Sequence, residues 1–404
     1  MKVDFLIIGG GMVGLSIANQ LIERNISKNI VVIDKEKSLG MHSSGLNSGV
    51  LHSGVYYKPG TLKSKVCVSG ARRLKKWIKE RNLPINECGK IIIPQEENLD
   101  NQLDVLKERA IENGARVELI NEKELKSLEP FVKSSTGRAL WSPNTVVVKS
   151  KIVLNKLESE LREKGVKFFL YQKNWDVDPL KCVFFLDNGN KINYGHLINC
   201  SGLYADRVAK KFGVGEKYRL FPFKGIYWAV RNNSKIKINR NIYPVPDLNV
   251  PFLGVHFTPS ADEIPTIYIG PTATPALGRE NYKGLDAFEP LSTFSNLLSL
   301  AGQYLQNNGG FRKYVHEQLL LALKPVMLNS AKKLIPSITN YDIVACEKVG
   351  IRSQLFNLDD EKLEDDFLCL EGPSSTHVMN AISPAFTASF SLADLIIDQM
   401  ISKI

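Results

Sequence analysis

Four residues near the start of the chain could bind the phosphates and a ribose of a dinucleotide. Gly9, Gly11 and Gly14 form a G-x-G-x-x-G pattern in "IIGGGMVGLS", and Asp34 follows the last glycine at about 20 residues. Glycines at these positions permit a tight turn and close approach of the backbone to a pyrophosphate. An aspartate at this distance can accept a hydrogen bond from a ribose hydroxyl. The pattern therefore predicts a dinucleotide cofactor.

Three sequence elements would hold these residues in place. Residues 3–8 form a short apolar run, which is typical of a buried parallel strand, and residues 30–33 form a second run that ends at Asp34. Between the two runs lie apolar residues at helical spacing: Val13, Ile17, Ala18, Leu21 and Ile22. This order predicts a strand–helix–strand unit in which the N-terminus of the helix faces the pyrophosphate.

The cofactor of such a unit can be NAD or FAD, and three later segments favour FAD. Residues 44–60, "SGLNSGVLHSGVYYKPG", form a glycine- and serine-rich loop where a nicotinamide domain would continue with its next strand and helix. Residues 196–213 have the pattern of another strand, turn and helix, with the turn at Ser201–Gly202. Near the C-terminus, Ser383 and Pro384 are predicted as the N-cap and first position of a helix. The partial positive charge of that N-terminus would stabilise an anionic reduced flavin.

Five stretches carry a resemblance to a known family. They are "SGLNSGVLHSGVYYKPGTLKSKVCV" (44–68), "INCSGLYAD" (198–206), "YPVPDLNVPFLGVHFTP" (243–259), "GIRSQ" (350–354), and "DDF" with "HVMNAISPA" (365–385). On these stretches the chain resembles the FAD-dependent oxidoreductases of the D-amino-acid-oxidase superfamily, and within it the L-2-hydroxyglutarate dehydrogenase/oxidase family. The likeness covers nearly the full length.

The resemblance implies an α/β fold with a Rossmann-like FAD-binding domain and a discontinuous α+β substrate domain built on an antiparallel sheet. We expect the FAD-binding domain to comprise residues 1–82, 145–215 and 341–404, and the substrate domain to comprise residues 83–144 and 216–340. The alternating segments "YRLFPFKGIYWAV" and "TIYIGP" are typical of strands in such a sheet.

The resemblance also implies where FAD binds: residues 42–58 would run beneath the isoalloxazine ring and across the pyrophosphate. The residues expected to contact FAD are Gly9, Gly11, Gly14, Asp34, Lys35, Ser43, Ser44, Asn47, Ser48, Gly49, Val177, Ser201, Gly202, Gly350, Asn380 and Ser383. We expect non-covalent attachment. Cys67 follows the loop, but it lies in an amphipathic, helix-like stretch that would turn Val66 and Cys67 toward the core.

The chemistry implied by the family is oxidation of an alcohol carbon beside a carboxylate, in which a base takes the hydroxyl proton and hydride passes to the flavin. A histidine that is neutral near pH 7 suits the base. His52 in the glycine-rich loop and His256 in "FLGVHFTP" are the leading candidates, with His377 a third. Both leading positions could serve, and we favour His52 because its loop also carries the cofactor contacts.

A substrate with two carboxylates needs cations to bind them. Arg352 offers a planar fork for one carboxylate, and Lys224 could meet the other as a point charge. Tyr57 or its neighbour Tyr56 would lie near the reactive edge of the flavin. Tyr243 and Asn380 are further candidates, as hydroxyl and amide donors.

Several positions depart from the family pattern and leave the substrate open. Leu46 stands where a polar or basic residue is usual, Lys224 where arginine is usual, Ile226 where glutamate is usual, and Pro259 where arginine is usual. Most of these changes remove charge near the expected substrate site. L-2-hydroxyglutarate is the first substrate to test, and a 2-hydroxy acid with a less polar tail is the alternative substrate. The alternatives are an amine or amino-acid oxidase of the same superfamily and a nucleotide-binding flavoprotein without turnover.

Composition restricts the partners. The net charge of +10 favours anionic ligands or an anionic membrane surface, while the basic runs lack a nucleic-acid-binding motif. Six cysteines without a C-x-x-C pair, and no leader ahead of the first strand, predict a reduced cytoplasmic chain. We expect no metal and no spanning helix, and peripheral contact with the inner membrane face stays open. Oxygen, a quinone and an electron-transfer protein all remain candidate electron acceptors.

Overall fold

The computed structural model describes residues 1–246, 254–307 and 311–402. Part of the family-like stretch 243–259, residues 247–253, thus lies outside the described residues. The strands are β1 Lys2–Ile8, β2 Ile30–Ile33, β3 Val50–Leu51, β4 Ile85–Asn86, β5 Lys90–Ile93, β6 Glu118–Ile120, β7 Ala139–Ser142, β8 Val146–Val148, β9 Lys167–Phe169, β10 Asp176–Asp178, β11 Val183–Phe185, β12 Lys191–Asn199, β13 Tyr218–Val230, β14 Asn241–Pro244, β15 His256–Pro259, β16 Ile267–Gly270, β17 Thr274–Pro275, β18 Ile343–Asn357, β19 Lys362–Leu363, β20 Cys369–Gly372 and β21 Ser375–Val378.

The helices complete the fold. They are α1 Met12–Glu23, α2 Leu62–Glu80, α3 Asn101–Glu112, α4 Glu122–Leu128, α5 Ser150–Glu163, α6 Ala205–Lys210, α7 Pro290–Gln306, α8 Phe311–Leu320, α9 Lys324–Lys332 and α10 Ala385–Ile401, with short 3-10 turns at Glu97–Leu99 and Gly202–Tyr204. The mixture of helices with mixed sheets confirms the predicted α/β class.

The first sheet carries the predicted strand–helix–strand unit. Its strand order is β10-β11-β12-β1-β2-β9, with β21 beside β12 and β20 beside β21. β1 lies between β2 and β12 and runs parallel to both, so the turn after Ile8 lies between the carboxyl ends of these two neighbours. That position, at the carboxyl edge of parallel strands, is where open α/β sheets bind their ligands.

Apolar side chains hold α1, α2, α5 and α10 against this sheet. All four residues of β2 are buried, and α10 buries Phe390, Ala393, Ile397 and Met400. Val66 and Cys67 of α2 are buried as expected. One boundary differs: α10 begins at Ala385 with Pro384 in the N-cap position, because Pro384 does not have helical backbone angles, so Ser383 is not the N-cap.

The second sheet, ten-stranded in the part of the chain that is described, has the order β19-β18-β13-β16-β15-β14-β5-β7-β6, with β17 beside β13. Its pairs are antiparallel except for β14 and β5, which are parallel. β18 and β19 belong to this sheet, because β18 pairs with β13 over its whole length, from Ile343 to Asn357.

A search for membrane-spanning helices, made over residues 1–246, 254–307 and 311–402, found none that is both long enough and apolar enough.

Candidate active site

Two adjoining cavities lie where the carboxyl edge of the first sheet meets the second sheet. The outer cavity has a volume of about 490 Å³ and the inner one about 310 Å³. They share five lining residues: Gly11, Ser43, Ser44, Cys200 and Gly202. The result is one elongated cleft that begins at the G-x-G-x-x-G turn and ends beneath the second sheet.

The turn after β1 has the close approaches that a dinucleotide site requires. Gly9 has a φ of +105°, and a side chain there would collide with the carbonyl of Cys200. A Cβ at Gly11 would lie 2.9 Å from the Ser44 hydroxyl oxygen. Gly14 allows similar contact between the helix and the turn, because its Cβ would meet the carbonyl of Gly9. The backbone there is thus open to a bulky ligand group.

Asp34 sits at the end of β2, as predicted, and lines the outer cavity. Its carboxylate accepts hydrogen bonds from the backbone N–H of Gly10 at 2.8 Å and of Glu36 at 2.9 Å. Burial raises the pKa of the carboxyl group by more than these two hydrogen bonds lower it. Each carboxylate oxygen retains acceptor capacity, so Asp34 fits the ribose-binding role expected of it.

Lys35 lines the same cavity inside a cluster with Glu36, His42 and Glu280. Its ammonium bonds to Glu36 and lies 2.5 Å from Glu280 Oε1. Burial lowers its pKa, but these two bonds outweigh burial and raise it. Because the lysine already supplies the positive charge between the carboxylates, the cluster fits an ion-pair network better than a metal site.

The glycine-rich loop is fixed to both sheets. The Ser43 hydroxyl donates to the carbonyl of Ile351 at 2.8 Å, and the Ser44 hydroxyl accepts from the Met12 N–H at 2.9 Å. A Cβ at Gly350 would lie 2.5 Å from the carbonyl of Leu46. The loop is therefore held between the N-terminus of α1 and the β18 segment of the second sheet.

The structure brings most of the predicted site residues to this cleft. The inner cavity is lined by Gly11, Ser43, Ser44, Asn47, Ser48, His52, Gly202, Tyr243, His256, Gly350, Arg352 and Ser383. The outer cavity is lined by Gly9, Gly11, Asp34, Lys35, Ser43, Ser44, Ser201 and Gly202. Residues 383–387, around the N-terminus of α10, also line the inner cavity, where the helix was expected to point at the flavin.

His52 and His256 both line the inner cavity, and they belong to different parts of the fold. His52 lies just after β3, in the glycine-rich loop, and its Nδ1 has no hydrogen-bond partner among the described residues. Burial lowers its pKa well below the usual value, and the positive charges of Lys90 and Arg352 lower it further. His52 is therefore neutral and able to accept a proton.

His256 begins β15, in the second sheet. Its Nδ1 donates to the carbonyl of Gly254 at 2.8 Å, which leaves Nε2 as the accepting nitrogen. Burial lowers its pKa to about 4, although the Gly254 bond acts in the opposite direction. His256 is thus a second neutral imidazole in the same cavity, with its tautomer set by the backbone.

Arg352 lies on β18 opposite Phe223 of β13, and both residues line the inner cavity. Tyr57 and Tyr56 are half-buried and line neither cavity. Burial raises the pKa of both phenols well above the usual value, and Tyr57 interacts with Cys67 of α2.

Gly14 and Gly49 line neither cavity, and four further predicted residues lie elsewhere. Lys224 alternates with the cavity-lining Phe223 and Gly225, so its side chain leaves the other face of β13 and bonds to Asn281 at 3.0 Å. The buried amide of Asn380 is used by the backbone of Leu355, Glu364 and Asp366.

The other two are core residues. Val177 lies on β10 in the apolar core beside β11 and lines neither cavity. The ring of His377 is enclosed between Asn199 and Ser375, at 3.1 and 3.0 Å. These packing environments explain why the two side chains do not reach the cleft.

Sequence reasoning missed Lys90, the first residue of β5. It is only 1% exposed, and its ammonium lies 4.7 Å from the ring centroids of both Tyr56 and Tyr243. Burial lowers its pKa to about 7. The signal in the sequence was a single lysine at the head of the apolar run "KIII", which is more typical of a charge at a strand end.

Comparisons with known proteins agree with this geometry. The family model described as FAD dependent oxidoreductase matches residues 4–399. The mitochondrial L-2-hydroxyglutarate dehydrogenase of Nematostella vectensis is 34% identical, with 98% of this chain and 90% of that protein covered. The protein of the same name from Homo sapiens is 33% identical, with 98% and 88% covered.

Among solved structures, the dithionite-reduced L-α-glycerophosphate oxidase of Mycoplasma pneumoniae with FAD bound superposes with a TM-score of 0.75. It is 20% identical, and the match covers 98% of this chain and 94% of that one. At this identity the likeness is one of fold.

Proposed function

The chain belongs to the family of FAD-dependent oxidoreductases, and on that premise we propose that it oxidises a 2-hydroxy acid to the 2-oxo acid, with L-2-hydroxyglutarate the foremost substrate. The observation that carries the proposal is the inner cavity. Two neutral histidines and Arg352 line it beside the glycine-rich loop and the N-terminus of α10. An arginine for a carboxylate and a neutral base for a hydroxyl are what oxidation of such a substrate needs.

Each side chain has a defined task. Arg352 holds the carboxylate of the substrate through its guanidinium fork. His52 accepts the hydroxyl proton, because it is neutral, lines the cavity and belongs to the same loop as Ser43 and Ser44. His256 orients the hydroxyl from β15 of the second sheet. When bound, FAD supplies the two-electron acceptor.

The cleft fits FAD held without a covalent bond. The turn at Gly9 and Gly11 leaves the backbone open to the pyrophosphate, and Asp34 is placed for a ribose hydroxyl. Cys67 is fully buried in α2 with a pKa raised to about 12 by burial, which disfavours the thiolate that covalent attachment would require.

Anaerobic flavin reduction tests the proposal. The holoenzyme is mixed with L-2-hydroxyglutarate, with its D enantiomer, or with L-glutamate, which differs from the substrate only by an amino group in place of the hydroxyl. We expect L-2-hydroxyglutarate to bleach the flavin absorbance. Bleaching by L-glutamate instead would favour the amino-acid oxidase reading, and no bleaching by any hydroxy or amino acid would favour a flavoprotein without turnover.

We further infer peripheral contact with an anionic membrane surface through α7. This 17-residue helix contains no charged residue, and several of its apolar side chains face outward, although Leu300 is buried: Leu291 is 87% and Phe294 66% exposed. The polar Thr293 and Asn296 face inward instead. The net charge of +10 complements an anionic lipid surface. Such contact would favour a membrane quinone over oxygen as electron acceptor, in a chain located on the cytoplasmic side.

Vesicle sedimentation tests this contact. The protein should co-sediment with vesicles that contain phosphatidylglycerol, and Phe294→Asp should release it. Leu180→Asp, at a site that is 90% exposed on a different part of the surface, is the matched control. Equal sedimentation of the Phe294 variant and the unaltered protein would rule out α7 as the contact.

A further inference from the structure

Lys90 is a buried cation that no ion pair neutralises in the described part of the chain. Its ammonium lies over the ring faces of Tyr56 and Tyr243, and the thiols of Cys67 and Cys88 lie within electrostatic range. A buried charge without a counter-ion is costly, and the cost is recovered when an anion binds beside it.

The sheet register places Lys90 on the same face of the second sheet as Tyr243. Tyr243 of β14 pairs with Ile92 of β5, and Lys90 lies two residues before Ile92, so both point to the face that Tyr243 occupies. His256 shares that face, because its ring stacks on the ring of Tyr243 with centroids 3.9 Å apart. Tyr243 and His256 both line the inner cavity.

Lys90 and Arg352 both influence the imidazole of His52. Both positive charges lower the pKa of His52, so both lie within electrostatic range of the proposed base. They reach it from different strands, β5 and β18, which are separated in the sheet by β13, β16, β15 and β14. The inner cavity therefore has two separate cations in its surroundings.

Two other lysines are weaker candidates for a buried cation that could bind an anionic ligand. Lys224 leaves the opposite face of β13 and bonds to Asn281. Lys63 is buried near Arg352, but Asp365 and Asp366 lie within electrostatic range and partly offset its charge. For Lys90, no carboxylate of the described residues plays that part.

We propose that Lys90 is a specificity-determining residue whose ammonium attracts the second carboxylate of a dicarboxylate substrate, while Arg352 holds the first. The inference rests on the proposed function and deepens it by assigning the substrate class. Lys90, on β5, would also explain how the protein can prefer a dicarboxylate although Leu46 and Ile226 stand where the family usually has polar or charged residues.

A pair of substrates tests the assignment. L-2-hydroxyglutarate and L-2-hydroxypentanoate have the same chain length and differ in the distal carboxylate. We expect Lys90→Met to lower kcat/KM for the diacid by roughly 10–100-fold, mainly through KM, and to leave the monoacid within about 3-fold. Lys348→Met is the matched control, because Lys348 is a half-buried lysine whose ammonium also lies over two tyrosine rings, those of Tyr268 and Tyr227, at 4.0 and 5.3 Å from their centroids. It should alter neither substrate.

A binding measurement separates this inference from the proposed function. Glutarate and pentanoate cannot be oxidised at a hydroxyl, and their binding is followed by the flavin absorbance change or by the shift in Tm of the holoenzyme. Glutarate should bind the unaltered protein and the Lys348 variant better than pentanoate does, and Lys90→Met should remove that preference. If Lys90→Met fails to retain FAD, Lys90→Gln takes its place.

The outcomes are distinguishable. An unchanged glutarate preference, or equal losses for diacid and monoacid, would overturn the role of Lys90. If no hydroxy acid reduces the flavin but glutarate binding depends on Lys90, the proposed reaction fails while the dicarboxylate site stands.

Discussion

The imidazole of His256 stacks on the phenol ring of Tyr243, with centroids 3.9 Å apart and planes 18° from parallel. The same imidazole donates from Nδ1 to Gly254, so both its plane and its tautomer are fixed before any substrate enters. His52, which lines the same cavity, has no hydrogen-bond partner at its Nδ1 among the described residues. The two histidines are therefore not equivalent, and their roles can be separated by experiment.

Replacement of each histidine should have a different effect. We expect His52→Asn to slow anaerobic flavin reduction by ~10²-fold or more, because the proton acceptor is lost. His256→Asn should weaken substrate binding more than it slows reduction. Rapid mixing over a range of substrate concentrations measures both. The reverse pattern would make His256 the base.

Arg352→Met should remove the guanidinium fork while it keeps the side-chain length similar. The loss in kcat/KM should correspond to roughly 2–4 kcal/mol of transition-state stabilisation, the range for a lost charged hydrogen-bond partner. FAD content, measured by absorbance after purification, should change little. Full efficiency in this variant would exclude Arg352 as the carboxylate ligand.

The pH dependence of the rate of flavin reduction should show that His52 and His256 remain neutral. Their pKa values are lowered, to about 4 for His256, so the rate of flavin reduction should not fall between pH 8 and pH 5.5. The unfolded chain binds more protons than the folded one between the ordinary histidine value of 6.5 and about 4. The free energy of unfolding should therefore decrease as the pH falls through this window. A rate that drops by half near pH 6.5 would mean an unperturbed base.

Lys90→Met should stabilise the protein in the absence of ligand. Burial lowers the pKa of Lys90 from 10.5 to about 7, so the buried charge costs free energy near neutral pH. Removal of that charge should raise the free energy of unfolding at pH 7 by roughly 1–3 kcal/mol. It should also flatten the increase in stability between pH 7 and pH 10, which denaturant titrations can measure. A destabilised variant would mean that the contacts with Tyr56 and Tyr243 outweigh the cost of burial.

Acid precipitation tests the cofactor attachment. We expect the yellow colour to pass into the supernatant as intact FAD, because Cys67 is buried and its thiol stays protonated. Colour that remains with the precipitate would show a covalent bond to the chain.

Local patterns predicted the cofactor unit well. The strand at 30–33 has the predicted bounds, and β1 differs from its predicted run by one residue, because short apolar runs next to a glycine turn have few other ways to be buried. Family and FAD dependence are confirmed by a match that spans residues 4–399. The individual site residues and the division into domains stay predictions.

Long-range packing explains the differences at Lys224 and Lys90. Which face of β13 carries Lys224 depends on its register with β18, which shifts between Ile226 and Trp228. No local pattern contains that information. The burial of Lys90 likewise depends on two tyrosines more than 30 and 150 residues away in sequence, and on strands that pair only in the folded sheet.

The contact of Gly350 and Ile351 with the loop at Ser43 and Leu46 limits how this enzyme can be recombined with its relatives. A chimera that imports only the loop would change the atoms that contact β18. The strand would then have to move, and the neighbouring Arg352 would move with it. Transplanted cofactor loops should therefore work only when residues 349–352 travel with them. The two segments, some 300 positions apart in the gene, form one exchangeable module.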